Sequence, residues 1–229
     1  MMPMRTIHFL HIGKTGGTVI KHALSPHCHG ATQRIMLHEH ATRLSDISPG
    51  EQVFFFLRDP ISRYVSGFYS RKREGRPRYA SPWSPAECCA FSCFATPDAL
   101  AMALTSSDTS LQLAAVDAMH SISHVRDRYS RWFGSDEYVR ARLADIFFIG
   151  RQESLAADFA RLKDMLGLDP ALALPEDAVS AHKNPPECDR RLSVTAIENL
   201  KKWYEEDFLF MHLCQRLRLM QSSVPAFVF

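Results

Sequence analysis

The sequence lacks the features of membrane proteins, nucleic-acid coat proteins and disordered chains. Its longest apolar runs, such as residues 53–57, are far shorter than the roughly 18 consecutive apolar residues of a membrane-spanning helix. The 27 Lys and Arg residues nearly balance the 25 Asp and Glu residues, and the net charge of +2 excludes a strongly basic nucleic-acid coat protein. Because 46% of the residues are hydrophobic, a core can form. We expect a globular protein with no membrane span and no nucleic-acid partner.

A secretion signal and a recognisable metal or redox motif are also missing. Arg5 and two histidines interrupt the apolar stretch near the N-terminus, and no small-residue cleavage site follows, so we expect a cytoplasmic protein. The six cysteines form no C-x-x-C pair, and we expect most of them to pack in the core as reduced thiols. Residues 27–29 (His-Cys-His), with His38 and His40, match no standard zinc spacing, so we expect no metal.

Strand and helix patterns alternate along the chain. Short apolar runs predict strands, while helical apolar spacing and capping residues predict helices. The predicted strands cover residues 6–12, 35–37, 53–57 and 145–149, and the predicted helices cover residues 18–24, 60–72, 97–104, 107–119, 135–143 and 155–166. This alternation predicts an α/β fold with three layers, in which helices flank both faces of a parallel sheet.

Capping signals mark three of the helix boundaries. Asp59 can cap a helix that begins at Pro60, and Gly167 suits the end of the helix over residues 155–166. Thr195 and Glu198 have the spacing of a capping box, which predicts the start of a late helix.

The chain length favours one domain. The 229 residues contain no internal repeat and no linker rich in glycine or proline. We therefore expect a single domain over residues 1–229, with an irregular and partly helical insertion over about residues 73–143.

A glycine-bearing turn joins the first predicted strand to the first predicted helix. Residues 13–18 read Gly-Lys-Thr-Gly-Gly-Thr, and the glycines let the backbone curl so that several N–H groups point toward one anion. The helix start adds favourable potential, Lys14 a positive charge, and Thr15 and Thr18 hydroxyl donors. A Walker A loop does not fit, because its first glycine would fall on His8. The motif predicts a different phosphate-binding loop; a plain glycine turn with an exposed lysine is the alternative.

A second candidate phosphate site follows the apolar run at residues 53–57. Arg58 lies where the carboxyl end of a parallel strand opens into the ligand crevice of an α/β sheet. Ser66 lies nearly two turns into the next helix, on the same face as Ser62. A guanidinium with a hydroxyl suits a phosphate, because Arg can bind two phosphate oxygens at once. The alternative is a surface pair between Arg58 and Asp59 beside a solvated helix.

Together the two motifs resemble those of the sulfotransferases that use 3′-phosphoadenosine 5′-phosphosulfate (PAPS). The matching stretches are residues 11–18 (HIGKTGGT) and residues 56–69 (FLRDPISRYVSGFY). The chain is similar to the carbohydrate branch of that family, which includes heparan sulfate 2-O-sulfotransferase. Residues 148–153 and 182–184 also look like later segments of the family. The resemblance implies the sulfotransferase fold, which is related to the fold of the P-loop nucleotide kinases.

The resemblance also implies a role for each residue of the two motifs. In that family the first motif holds the 5′-phosphosulfate of PAPS and the second motif holds its 3′-phosphate. Carried over by position, the first site comprises Lys14, Thr15, Gly16, Gly17 and Thr18, and the second comprises Arg58 and Ser66. Gly13 stands where the family usually has proline, which should loosen the start of the loop without removing a phosphate ligand.

The catalytic base implied by the resemblance is a histidine between the two motifs. The acceptor hydroxyl must lose its proton as it attacks sulfur, and an imidazole with a pKa of about 6.5 suits that task. His40 aligns best and His38 is the alternative, while a chain with 11 histidines leaves room for a base elsewhere. Lys14 is expected to act in catalysis as well, by stabilising charge on the leaving oxygen.

The acceptor implied by the resemblance is a hydroxyl of a carbohydrate. Residues 71–78, the basic run, hold five Lys and Arg residues and one Glu, a charge that would attract an anionic glycan. A solvated loop is the other interpretation of the basic run.

Two other functions stay open on the sequence. A P-loop-type kinase would need carboxylates that hold Mg²⁺, whereas Asp59 is better placed as a helix cap. A non-catalytic nucleotide-binding protein would keep the phosphate loop and lack sulfotransfer activity.

Overall fold

The computed structural model describes residues 4–30, 33–77, 79–175 and 188–223. Within these ranges the chain divides into two compact units. The first unit contains the described residues of ranges 4–58, 129–175 and 206–223. The second unit contains the described residues of ranges 59–128 and 188–205. The prediction of a single domain stays a prediction.

Four strands and ten α-helices occur in the described ranges. In chain order they are β1 (Arg5–Leu10), α1 (Gly17–Leu24), β2 (Gln33–Leu37), β3 (Gln52–Leu57), α2 (Pro60–Lys72), α3 (Pro85–Cys93), α4 (Pro97–Ala103), α5 (Thr109–Ser121), α6 (Ser130–Phe133), α7 (Asp136–Ala141), β4 (Ile146–Arg151), α8 (Leu155–Leu166), α9 (Val194–Trp203) and α10 (Glu205–Ser223). The described part of the chain includes no helix that is both long and apolar enough to cross a membrane.

The four strands form one parallel sheet in the first unit. Their order is β2-β1-β3-β4, and β1 is one of the two inner strands, with Ile7 opposite both Ile35 and Gln52. Because all four strands run in the same direction, their carboxyl ends meet at one edge of the sheet. The predicted α/β fold with a parallel sheet is confirmed.

The strands are buried on both faces of the sheet. Side chains alternate between the two faces of a strand, yet Phe54, Phe55 and Phe56 are all 0% exposed. On the face of Phe55, the ring of Phe133 from α6 lies 4.5 Å away, and Phe210 from α10 stacks on Phe133. Such burial on two sides explains why the apolar run of β3 is unbroken rather than alternating with polar residues.

The predicted helix caps are correct at two of three boundaries. The Asp59 carboxylate accepts the N–H of Ser62 at 2.8 Å at the start of α2, and Gly167 ends α8 in the left-handed conformation. The capping box at Thr195 was wrong. α9 begins at Val194, two residues earlier than a cap at Thr195 implies, because the Ser193 side chain accepts the N–H of Ala196 and caps the helix.

The second unit is helical in its described residues. It contains α2, α3, α4, α5 and α9, and aromatic rings fill its interior. Phe68 of α2 meets the ring of Phe91 edge-on at 5.3 Å, and Trp83 lies 4.9 Å from Phe91. Tyr64 lies 6.2 Å from Tyr204, at the end of α9.

A buried ion pair joins α2 to α3 in the second unit. Arg71 donates to both carboxylate oxygens of Glu87, at 2.7 and 2.8 Å, and both side chains are under 10% exposed. Glu87 also accepts the N–H groups of Ser84 and Ser123, at 3.0 and 3.1 Å. Although burial alone would raise it, these hydrogen bonds lower the pKa of Glu87 to about 2.

Most of the cysteines lie outside the core. α3, which the sequence did not predict, turns Glu87, Ala90 and Phe91 inward. Helical spacing then places Cys88, Cys89 and Cys93 on the exposed side. Of the six cysteines, all described, only Cys214 is buried, so the prediction that most pack in the core was wrong.

Candidate functional site

The loop after β1 has the geometry of an anion-binding turn. Lys14 (φ 68°) and Gly16 (φ 88°) both take the left-handed conformation, which curls the backbone tightly into α1. The first turn of α1 carries no acidic residue, and no side chain caps its N–H groups. Since the N-terminus of a helix carries partial positive charge, this loop offers N–H groups and favourable potential to an anion.

Two glycines of the loop are required by close packing or by backbone conformation. A Cβ on Gly17 would lie 2.0 Å from the ring of His11, so no larger residue fits there. Gly16 has a positive φ, and a Cβ on it would lie 3.2 Å from Leu155, at the start of α8. His11, which the sequence did not single out as a site residue, is therefore packed directly against the loop after β1.

The threonine and lysine side chains of the loop differ in their surroundings. Thr15 is 1% exposed, and its hydroxyl donates to the Ile12 carbonyl at 3.0 Å. That hydrogen bond closes the loop, so the Thr15 hydroxyl shapes the turn. Lys14 and Thr18 are half-buried.

Arg58 lies beside the same loop. It follows β3, the neighbour of β1 in the sheet, and its Nη1 donates to the Lys14 carbonyl at 3.3 Å. The parallel sheet thus brings Arg58 of the second motif next to Lys14 of the first, as the position of both at strand carboxyl ends predicts.

His40 is held against His11 and the loop. Its Nδ1 lies 3.1 Å from the His11 carbonyl oxygen, and the two imidazole rings are 3.9 Å apart. A carbonyl oxygen only accepts hydrogen bonds, so the Nδ1 of His40 carries the proton and its Nε2 carries the lone pair. Burial lowers the pKa of His40 below 6.5, with a smaller contribution from the charge of Lys14. Neutral His40 has the tautomer of a general base.

His11 stays neutral as well. Burial, with smaller contributions from the neighbouring His40, Lys21 and Lys14, lowers its pKa to about 2. Its Nδ1 is buried without a hydrogen-bond partner. The ring of His11 therefore packs against the loop without adding charge to it.

His38, the alternative base, has a different environment. Its Nε2 lies 2.7 Å from Nδ1 of His8, the two rings are stacked, and Nε2 of His8 lies 3.3 Å from Glu51. Lys21 donates to the His38 carbonyl and to the carboxylate of Glu39, which holds this segment to α1. Burial lowers the pKa of His38, and the nearby His8 and Lys21 lower it further.

Ser66 belongs to the second unit. It lies on α2 and is 7% exposed. Ser62, on the same helix, donates its hydroxyl to the Asp59 carbonyl at 3.3 Å. Asp59 itself caps α2, as expected from the sequence.

The basic run supplies fewer available charges than its sequence suggests. Arg71 is buried with Glu87, and the ammonium of Lys72 donates to the Ala95 carbonyl. Arg76 pairs with Glu74 at 3.3 Å. Arg78 lies outside the described residues.

Two further predictions concern metals and the later segments of the sequence. Among the described residues, no three or more His, Cys, Asp or Glu side chains are grouped so as to hold a metal ion. Residues 148–153 form the end of β4 and the turn before α8; a Cβ on Gly150 would lie 2.3 Å from the ring of Phe56. Residues 182–184 lie outside the described residues.

Comparison with known proteins identifies the family. The model of the family described as "Sulfotransferase family" matches residues 1–212. No curated protein matches the chain. The matched range contains the loop after β1, Arg58 and both candidate histidines. The chain therefore belongs to the sulfotransferase family.

Proposed function

We propose that this protein transfers a sulfuryl group from PAPS to an acceptor hydroxyl. The observation that carries the proposal is the loop after β1, where an uncapped helix N-terminus, Lys14 and Arg58 meet in a chain of the sulfotransferase family. A donor with phosphate groups at both ends of its ribose matches two adjacent groups of positive charge.

The residues of the first unit fit the donor. The N–H groups of residues 14–18 and the Lys14 ammonium would hold the 5′-phosphosulfate. Thr15 would contribute its N–H, because its hydroxyl proton is used within the loop. Arg58 would bind the 3′-phosphate; the assignment of Ser66 to the same phosphate rests on the sequence motif alone.

Two side chains would carry the chemical step. PAPS supplies the sulfuryl group when bound. His40, neutral at pH 7, would remove the proton of the acceptor hydroxyl through its Nε2. Lys14 would stabilise the negative charge that develops on the oxygen of the leaving group.

The finer assignments of acceptor and location stay proposals. A carbohydrate hydroxyl is proposed from the resemblance to the carbohydrate branch. If the basic run binds an anionic acceptor, Arg71 does not take part, because Glu87 neutralises its charge. A cytoplasmic location is proposed from the sequence.

A kinase is not favoured by the loop. A Walker A lysine follows the glycines of its motif, whereas Lys14 precedes Gly16 and Gly17. Thermal unfolding with 3′-phosphoadenosine 5′-phosphate (PAP), compared with ATP and Mg²⁺, tests the donor: PAP alone should raise the melting temperature. Turnover of labelled PAPS on a panel of glycans then separates the enzyme from a non-catalytic nucleotide-binding protein, which would bind PAP and transfer nothing.

Donor binding should depend on Arg58. We expect Arg58→Ala to weaken PAP by about 1.5–3 kcal/mol, because it removes a charge-assisted contact, and Ser66→Ala by about 1 kcal/mol. Isothermal titration calorimetry measures both. Arg5→Ala is a matched control, since Arg5 is exposed at the opposite end of the same sheet. Tight PAP binding by Arg58→Ala would contradict the proposed donor site.

Sulfotransfer should not require a divalent metal. Lys14 and the N–H groups of the loop supply the positive potential that Mg²⁺ supplies in a kinase. We expect the rate of transfer from PAPS to be unchanged after dialysis against EDTA. A loss of activity that added Mg²⁺ restores would show that this role of Lys14 is wrong.

A further inference from the structure

Residues 129–132 are called the 129–132 segment below. Two of its side chains hydrogen-bond to the main chain of two candidate site residues. The Tyr129 hydroxyl accepts the N–H of Arg58 at 3.0 Å and donates to its carbonyl at 2.5 Å. On the same segment, the indole N–H of Trp132 donates to the His40 carbonyl at 2.8 Å. We propose that the 129–132 segment is a positioning element that sets Arg58 for donor binding and His40 for proton removal.

The segment is itself firmly anchored in the first unit. The N–H of Tyr129 donates to the Asp207 carboxylate at 2.8 Å, and Asp207, on α10, is 1% exposed. Phe133, the next residue after the segment, packs between Phe55 of β3 and Phe210 of α10. A buried segment fixed at both ends can hold its hydrogen-bond partners in one geometry.

The hydrogen-bond partners of Tyr129 and Trp132 distinguish this segment from other buried parts of the first unit. A buried phenol or indole needs a hydrogen-bond partner, and any nearby carbonyl would satisfy it. Here Tyr129 bonds to both peptide groups of Arg58, which sets the direction in which that residue leaves β3 toward Lys14. Trp132 holds the main chain of His40, while the His11 carbonyl holds its ring.

The hydrogen bonds of Tyr129 and the hydrogen bond of Trp132 therefore predict separable effects. Tyr129 should influence donor binding through Arg58, and Trp132 should influence the proton-transfer step through His40. This inference rests on the proposed function, because it assigns the segment to residues of that site.

The test uses variants that retain an aromatic side chain and remove one polar group. We expect Tyr129→Phe to weaken PAP binding about five- to tenfold by calorimetry, and Trp132→Phe to lower kcat about five- to tenfold with unchanged PAP affinity. The matched controls are Tyr204→Phe and Trp83→Phe, which each remove a ring-to-carbonyl hydrogen bond of 2.7 Å from the second unit. The controls should change neither quantity.

Double variants separate positioning from a general loss of structure. Tyr129→Phe should add nothing to the PAP loss of Arg58→Ala, and Trp132→Phe should add nothing to the kcat loss of His40→Ala. Additive losses, or wild-type behaviour of both phenylalanine variants, would overturn the positioning role and leave the proposed function standing. Wild-type behaviour of Arg58→Ala and His40→Ala would instead overturn the proposed function, and the positioning role with it.

Discussion

Replacing His40 with alanine should lower kcat by about 10²–10⁴ and leave PAP affinity nearly unchanged. The tautomer that the His11 carbonyl imposes places the lone pair of His40 on Nε2, where it can accept the acceptor proton. The variant removes that base and leaves the phosphate loop intact. Steady-state kinetics with labelled PAPS, together with calorimetry of PAP, measure the two effects separately.

His38→Ala is the matched control for this prediction. It removes an imidazole two residues away whose Nε2 is occupied by His8. If His38 is the base, the two variants exchange phenotypes. Near-normal turnover in both would mean that the base lies elsewhere in the chain.

The pH dependence of the wild-type enzyme provides a second measurement on His40. Burial lowers its pKa below 6.5, so the neutral base persists into more acidic solution than a free imidazole would. We expect kcat to fall with decreasing pH only below 6.5. An acid limb centred above that value would contradict the assignment.

Replacing Glu87 with glutamine should reduce the free energy of unfolding by about 3–5 kcal/mol. The change keeps the size of the side chain but leaves the buried guanidinium of Arg71 without its counter-charge. Urea unfolding followed by circular dichroism measures the loss. The double variant Arg71→Met with Glu87→Leu, which removes both charges, should recover much of it, whereas an unchanged stability of Glu87→Gln would show that the ion pair is unimportant.

The same pair predicts how stability depends on pH. The folded-state pKa of Glu87 is lowered from 4.5 to about 2, so its contribution is fully present above 4.5 and is lost as the pH falls toward 2. Over that interval the wild-type protein should lose more stability than Glu87→Gln. Parallel loss in both proteins would show that other carboxylates dominate.

Much of the fold was predictable because its signals are local. The unbroken apolar run of β3 indicated a strand buried on both faces, and Asp59 with Pro60 marked the start of α2 to the residue. Glycines that follow a strand and precede a helix similarly indicated the turn between β1 and α1. Each of these features depends on neighbouring residues, which a linear pattern can report.

Apart from the helix cap at Thr195, the errors occurred where burial depends on distant partners. The cysteines of α3 were expected in the core, but this helix turns Glu87 inward to meet Arg71, and the thiols face outward. In the basic run, likewise, the charge of Arg71 is paired with Glu87 from another helix. Composition alone does not show which charge in a run will find a buried partner.

The sequence by itself determined the parallel sheet and the turn between β1 and α1, because strand, turn and helix signals follow one another within residues 6–72, and its two motifs carried the resemblance to the sulfotransferase family. Only the tertiary structure decided how the site is supported. The bonds from Tyr129 to Arg58 and from Trp132 to His40 span 71 and 92 residues. The physical reason is that a buried polar group takes whichever partner the folded core brings to it, and that choice is made by packing rather than by neighbouring sequence.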